Sequence, residues 1–534
     1  MANWTDHREQ TGASQPPVDL LGECMASRGP TSAGHGYARD MPSQASRRRG
    51  ANRIVGLVRG PRSSVALRCL TVAVVLGLAV RAFSTSWPAR IPLDALWLLP
   101  GAPAVAVILL AITLARRGRQ WWSRVVPTAL AITVGIVAVL TWWLRASGTV
   151  KDAYPASFTV WVGVAVFTIM LAVLGSRGAT FTQRSAGWIA VPATVVAAFL
   201  LINSHYGYWP TLGDLIGHPS VTSISAGQLR QQLTNRNQLT SARTRDQRSP
   251  RVARRGELVS SDIPADVSGF VHRPASVYLP PAYFSGERNL PVLVMLGGTP
   301  SDATTWATAG HAVATADQYA AQHNGYGPVM LFVDANGSWY GDTECVDGPR
   351  GRAETYLAID VPRYATRELH LSANPDLWGL IGFSEGGTCA IDIALRHPSS
   401  YHHFVDVAGD AAPNVTGNTT RNLYGGSDYQ AIVHQPSWLL AHQRYPALTA
   451  WFVSGSADHP HRRIDQRLQG EAARAGIQTS LIVEAGGHNW PVCSNALKRI
   501  LPDLLAQFPT PTGRPNNRHR HLLQPVHLTG NHPA

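Results

Sequence analysis

The chain has 534 residues, a formal net charge of +13 and 45% hydrophobic residues, enough length for two or three domains. Its five cysteines are too few for a small disulfide-stapled scaffold, and the sequence contains no Cys-x-x-Cys pair or Cys/His cluster with metal-ligand spacing. The positive charge does not mark a nucleic-acid binder: residues 261–508 carry 15 Lys and Arg against 23 Asp and Glu, net −8, so the surplus lies outside the segment that reads as a folded enzyme-sized domain.

In chain order, residues 1–62 read as a disordered cytoplasmic tail, because they hold too few apolar residues to offset the entropy of ordering. Five apolar stretches of roughly 16 to 21 residues follow, the length that spans a bilayer core: Ser64 to Phe83, Ala95 to Ala115, Val125 to Leu144, Phe158 to Gly175 and Ala186 to Asn203. They are apolar nearly all round, whereas helices of a soluble bundle carry a polar face. The expectation is an α-helical membrane domain over 63–203 with about five transmembrane helices. The first stretch does not read as a cleavable signal, since a long polar segment precedes it, and Arg68 and Arg81 lie near its ends, where they can snorkel to the interface.

Arginines flank the stretches asymmetrically. Arg47, Arg48, Arg49, Arg53, Arg59 and Arg62 precede the first, Arg116, Arg117, Arg119 and Arg124 lie between the second and third, and Arg177 and Arg184 lie between the fourth and fifth. The alternate loops carry little. The positive-inside rule then puts the N-terminus in the cytoplasm and everything after Asn203 outside, as a multi-pass protein of the cell membrane with an extracytoplasmic C-terminal domain. Residues 204–264 read as a linker, with the aromatic cluster His205 to Pro210 at the outer interface and an Arg-rich polar run from about Ser220 to Ser261.

From 265 to 508 short β-rich runs alternate with helical patterns, which predicts βαβ units and a mainly parallel, doubly wound sheet of the α/β-hydrolase type. Strands are expected at Ser276 to Leu279, Pro291 to Leu296, Val329 to Asp334, Leu377 to Phe383, His403 to Val407, Ala450 to Ser454 and Thr479 to Val483. Helices are expected at Ala303 to His323, Ala353 to Leu369, Gly387 to Arg396, Arg462 to Ala475 and Ser494 to Gln507. Residues 509–534 read as a disordered tail whose histidines are solvated.

Leu377 to Arg396 reads as strand, sharp turn and helix, with Gly382, Ser384 and Gly386 in the Gly-x-Ser-x-Gly spacing of a nucleophile elbow. A serine hydroxyl needs a base and a group that orients the base. In this fold they follow in the order Ser, acid, His. Asp458, just past the strand ending at Ser454, and His488, in Gly-Gly-His-Asn-Trp past the last strand, fill that order. Asp410, after the preceding strand, is an alternative acid. His459 and His461 precede the last strand and are expected to line the rim or face solvent. An oxyanion needs two preorganised N–H donors. One is expected from the Glu385 amide, the other from Thr299 or Gly298 in the Gly-rich loop after the Pro291 to Leu296 strand.

These motifs resemble the esterase D and mycolyltransferase-like group of α/β hydrolases, acyl-ester enzymes of actinobacteria and other bacteria. The resemblance rests on Leu-Gly-Gly-Thr at 296–299, Asp-Thr-Glu-Cys-Val-Asp at 342–347, Gly-Phe-Ser-Glu-Gly-Gly-Thr-Cys at 382–389 and Gly-Gly-His-Asn-Trp at 486–490. It implies a serine carboxylic-ester hydrolase, or an acyltransferase, that needs no cofactor or metal. It also implies a Cys345 to Cys389 disulfide, which leaves Cys493 as a free thiol. The expected partners are the membrane and an ester substrate from a lipid or envelope glycolipid, with no nucleic acid. A non-catalytic envelope scaffold is the rival reading.

Overall fold

A computed structural model describes residues 90–146, 156–225, 227–229, 231 and 255–509. The apolar stretch Ser64 to Phe83, both expected tails and most of the Arg-rich run lie outside the described residues.

Four apolar helices open the described chain: α1 Leu98–Leu114, α2 Arg119–Ala146, α3 Ala156–Leu174 and α4 Phe181–Tyr206. The last three are long and apolar enough to cross a membrane, and α1 is shorter. α4 packs on α1 and α3 through Ala186, Gly187, Ala190, Thr194, Ala197 and Ala198, small side chains that let helix backbones approach closely. Val134, Val139, Trp142, Ile189 and Val196 point outward and are exposed. That pattern suits a lipid solvent and would be costly in water. A capping box at Thr180 starts α4, and left-handed Gly207 ends it.

The C-terminal half is built on a nine-stranded sheet. Its strands are β1 Ile224–Ser225, β2 Glu257–Ser261, β3 Ala275–Leu279, β4 Val292–Leu296, β5 Val329–Phe332, β6 Trp378–Phe383, β7 His403–Val407, β8 Thr449–Gly455 and β9 Gln478–Glu484. The order is β1-β2-β3-β5-β4-β6-β7-β8-β9, and only β3 runs antiparallel to its neighbours. Every residue of β4, β5, β6 and β7 is buried, as expected for parallel strands covered on both faces. The covering helices include α5 Ala312–Gln322, α6 Glu385–Arg396, α7 His459–Arg474 and α8 Trp490–Gln507. β5 lies on one side of β4 and β6 on the other, so the connection reverses there and leaves a crevice beyond the carboxyl ends of β4 and β6.

Several expectations shift. The domain begins before residue 265, because β2 pairs with β3 from Glu257↔Leu279 to Ser261↔Ala275. Only Leu258 and Val259 in β2 are apolar, too little for a periodicity signal. The expected linker is ordered at its start: the Asn203 amide brackets Trp209 through hydrogen bonds to its N–H and carbonyl (3.0 and 2.8 Å), and residues 91–93 hydrogen-bond to Pro210 and Leu212. The helix expected over Ala303 to His323 breaks into Thr305–Thr308 and α5, with His311 at φ 50° between them. Ala353 to Leu369 contains one π turn, Tyr356–Asp360. Three short helices, Thr419–Tyr424, Asp428–Val433 and Pro436–His442, fill a segment where the sequence pattern gave none.

Candidate active site

Ser384 sits at the turn from β6 into α6 with φ 57° and ψ −122°, a region that non-glycine residues occupy only when the surroundings enforce it. Here they do. The Ser384 N–H continues the sheet ladder to the Val407 carbonyl (2.9 Å), and the Ser384 carbonyl accepts from Gly387 and Thr388 at the start of α6. A Cβ at Gly382 would overlap the Gly386 carbonyl, and one at Gly386 would overlap the carbonyls of Leu296 and Gly297. The two glycines of the motif are thus the places where strand, helix and the neighbouring β4 loop touch backbone to backbone.

The β4 loop runs beside the serine: a Cβ at Gly298 would stand 2.9 Å from the Ser384 Cβ and 3.5 Å from its Oγ. The Thr299 hydroxyl lies within hydrogen-bond reach of the Gly341 carbonyl (2.8 Å) and of the Glu385 carboxylate. That buried carboxylate also accepts from Asn336 Nδ2 (2.8 Å) and the Glu344 N–H (3.2 Å). Glu385 therefore fastens three segments together: the elbow, the β4 loop and the loop after β5. The β5 loop is anchored in turn by Asp334, which forms a two-pronged pair with Arg273 (2.7 and 3.0 Å) and accepts from the Gly337 N–H. It is further tied to α6 by a Cys345–Cys389 disulfide, with Cα atoms 5.4 Å apart. Cys493 is free and buried.

His488 follows β9, and its ring lies 4.8 Å from the ring of Phe383, the residue before Ser384. Its Nδ1 is 2.8 Å from Asp458 Oδ2. Asp458 follows β8 and is buried. Burial pushes its carboxyl up, but hydrogen bonds and charge from His461 and His488 outweigh this and hold it well below the usual carboxylate range.

His461 departs from the expectation of a rim or solvent position. It is only 5% exposed, and its Nδ1 lies 2.8 Å from Asp458 Oδ1, so the acid is held by two histidines. The first turn of α7 carries His461 three residues beyond Asp458 and folds it back over the carboxylate. The His461 and His488 rings stack at 4.4 Å and 30°. The other nitrogen of His461, Nε2, is 3.6 Å from Asp410 Oδ1; Asp410 thus stands behind the second histidine while Asp458 faces His488. Donor atoms of Asp458, His461 and His488 lie within 4.8 Å of one another, yet both Nδ1 atoms are spent on the carboxylate. His459 is exposed and contacts Arg462.

One wall of the site continues to the end of the apolar helix α4. Trp490, two residues after His488, is buried against Phe383 (5.1 Å) and Trp306 (5.3 Å), and Trp306 Nε1 donates to the Leu296 carbonyl at the end of β4 (2.8 Å). Tyr208, just past α4, meets Trp490 at 6.2 Å and Trp339 of the β5 loop at 6.4 Å. Trp209 stacks on Trp339 at 6.5 Å and 10°. The end of α4 thus touches the loops on both sides of the crevice.

The sheet, its crossover and the strained serine turn define an α/β hydrolase. The family model described as "Putative esterase" matches residues 272–504. An uncharacterized protein of Corynebacterium glutamicum is 32% identical over 360 residues, covering 65% of this chain and 80% of that protein. The chain belongs to this esterase family. Among solved structures it is similar to a ferulic acid esterase (17% identity, 48% of this chain and 99% of that one, TM-score 0.42). It is also similar to an S-formylglutathione hydrolase from Agrobacterium tumefaciens (18%, 49% and 99%, TM-score 0.40) and to MPT51 (FbpC1) of Mycobacterium tuberculosis (16%, 46% and 97%, TM-score 0.36).

Proposed function

We propose that the protein is a membrane-anchored, extracytoplasmic serine esterase acting on an envelope or lipid-linked ester. Ser384 attacks the acyl carbonyl as His488 takes its proton, and Asp458 holds the imidazole in the tautomer that accepts it. The amides of Glu385 and of Thr299 or Gly298 receive the oxyanion. His488 then returns its proton to the leaving alcohol. Water, activated by the same histidine, releases the acyl group; a second alcohol in its place makes the enzyme an acyltransferase. The observations that support this reading are a strained serine beside the Gly298 backbone and, against the ring of the preceding residue Phe383, a histidine bonded to a buried aspartate.

Two further features support the location and substrate class. Three helices among the described residues are long and apolar enough to span a bilayer, and the last ends in aromatic residues packed on the crevice loops, which fits a site near the membrane interface. The disulfide fits an oxidising compartment, in agreement with the orientation read from the arginines. A membrane-impermeant fluorophosphonate probe applied to intact cells should label the wild type and not Ser384→Ala, and turnover of a long-chain ester should fall by roughly 10⁴-fold or more in that variant. A folded wild-type protein that takes no label from a permeant probe sinks the catalytic reading; labelling only after the membrane is opened sinks the orientation.

A further inference from the structure

The loop after β5 carries two neighbouring aromatic residues in opposite surroundings. Trp339 stacks on Trp209 beyond α4, whereas Tyr340 is 75% exposed. We propose that Tyr340 and Val271 form a rim that rests on the outer leaflet of the membrane holding α1 to α4, so that the crevice takes its ester sideways from that lipid surface. The inference rests on the membrane placement of these helices and deepens the reading of the site as an esterase of lipid-linked esters.

The helices mark where the lipid surface lies. The Gln183 side chain at the start of α4 donates to the Ala115 carbonyl at the end of α1 (2.6 Å), and a Cβ on Gly175, just past α3, would lie 3.2 Å from the Trp121 ring at the start of α2. The four helices therefore run alternately up and down, and this end carries the arginines of both short loops. The opposite end gathers Trp97 before α1, Trp142 and Trp143 near the end of α2, and Tyr206 at the end of α4. The three tryptophans are exposed. On α2, Trp122 and Trp143 are both exposed and stand 21 residues apart, with no charged residue from Val125 to Trp143. That spacing is about 30 Å along a helix, the thickness of a hydrocarbon core. Tryptophans at its two edges sit where their amphipathic rings are most stable.

From the second of these ends, aromatic rings continue into the crevice. Tyr206 meets Tyr208 at 6.4 Å, Tyr208 meets Trp209 at 5.9 Å, and both Tyr208 and Trp209 contact Trp339. Tyr340 is the next residue. The one after it, Gly341, accepts from Thr299 Oγ1 (2.8 Å) in the loop whose Gly298 borders Ser384. Val271 stands on the adjoining segment: a Cβ on Gly337 would lie 2.6 Å from its carbonyl. It reaches this edge of the sheet because β3 starts there, antiparallel to β5 with Ser276 opposite Phe332. Val271 is 82% exposed. Two exposed apolar side chains thus stand at the sheet edge that carries Ser384, on segments tied to the end of α4.

The energetics favour lipid as the occupant. Burying both side chains at the interface recovers transfer free energy that water withholds. Tyrosine suits that position, because its ring can enter the acyl boundary while its hydroxyl stays among the headgroups. An acyl ester in a bilayer keeps its carbonyl at the same boundary, between headgroup and chain. It then has to move only along the rim to reach Ser384, and its chain does not cross water. A short ester dissolved in water gains nothing from the rim, which separates the two kinds of substrate.

The test uses the full-length protein in phosphatidylcholine nanodiscs. Tyr340→Asp combined with Val271→Asp should lower turnover of para-nitrophenyl palmitate dissolved in the disc by about ten-fold or more. Turnover of para-nitrophenyl butyrate from water should stay within about two-fold of wild type. Equal losses on both esters, or no loss on either, overturn the proposal. A second measurement needs no turnover. Tyr340→Cys, carrying a nitrobenzoxadiazole dye in a chain with Cys24→Ser and Cys69→Ser, should be quenched by doxyl-labelled lipid and shielded from aqueous iodide; Cys493 is buried and the remaining two cysteines are bonded to each other. Quenching by iodide and not by doxyl lipid overturns the proposal as well. Failure of the catalytic reading is distinct, because the wild type would then take no fluorophosphonate label while the dye still meets lipid.

Discussion

The two halves of the described chain place the same apolar residue types in opposite ways. On α2 and α4, Val134, Val139, Trp142 and Ile189 face outward with little protein around them, while Val292 to Leu296 and Trp378 to Phe383 are sealed between helices. In the first half small residues line the helix contacts and large ones meet the solvent, a pattern that suits lipid. In the second, large residues fill the core and the candidate catalytic groups stand past the strand ends. Tolerance should follow: the apolar helices should accept changes in volume and reject charge, and the elbow should reject a single methyl group.

Glycine tests this contrast most sharply. Nothing lies within 4 Å of a Cβ built on Gly135 in α2, whereas one on Gly386 would overlap two backbone carbonyls that cannot rotate away. Gly386→Ala should cost more than about 4 kcal/mol or abolish folding of the catalytic domain. Gly135→Ala should change stability by no more than about 1 kcal/mol, toward the more helical residue. Thermal unfolding in detergent, followed by near-UV circular dichroism, separates the two. Equal effects would break the comparison.

The disulfide belongs to one half alone. Cys345 and Cys389 are 44 residues apart, so their bond restricts a long loop in the unfolded chain. Replacing both with Ser should cost roughly 3 to 4 kcal/mol in urea unfolding of the catalytic domain, and reductant should have no further effect on that variant. The converse probe is Val139→Lys. Val139 is 64% exposed on α2, and a lysine there should disfavour membrane insertion by about 3 kcal/mol, read as less protein in the membrane fraction, with esterase turnover per inserted molecule unchanged. Normal insertion would argue that this face meets protein or water.

How far the sequence could be read depended on whether a signal was local. The positions of Ser384, Asp458 and His488 past strand ends were legible because the strands were, and because strand, turn and helix succeed one another around Ser384 within twenty residues. His461 was not, since a histidine in the first turn of a polar helix looks the same whether it faces water or folds back on the residue three before it. The Glu385 side chain was hidden for a similar reason: its partners Asn336, Glu344 and Thr299 come from two other loops, and nothing in Gly-x-Ser-x-Gly distinguishes the second x. β2 escaped because its pairing with β3 supplies what its own two apolar residues do not. His205 to Pro210 was read for its interfacial chemistry, but its contacts with Trp339 and Trp490 exist only once the sheet brings those loops together.

A more modest effect concerns acid, and it sharpens the comparison because α1 to α4 contribute no carboxylate to it. His403, the first residue of β7, is buried against Phe508 at 4.3 Å, and its Nε2 lies 3.2 Å from the Asp376 carbonyl. Burial pushes its pKa down from 6.5 to about 4. The unfolded chain therefore binds this proton at a higher pH than the native one. Stability is full above about pH 6.5 and is lost as the pH falls toward 4, with no further loss below. At pH 5 the expected loss is about 2 kcal/mol. His403→Gln should show a pH dependence of the urea midpoint that is flatter by this amount between pH 7 and pH 5. An unchanged slope would mean that the acid sensitivity of the catalytic domain arises at other groups, Glu354 first among them, whose carboxyl burial pushes up but His397 and Arg396 hold down at about 2.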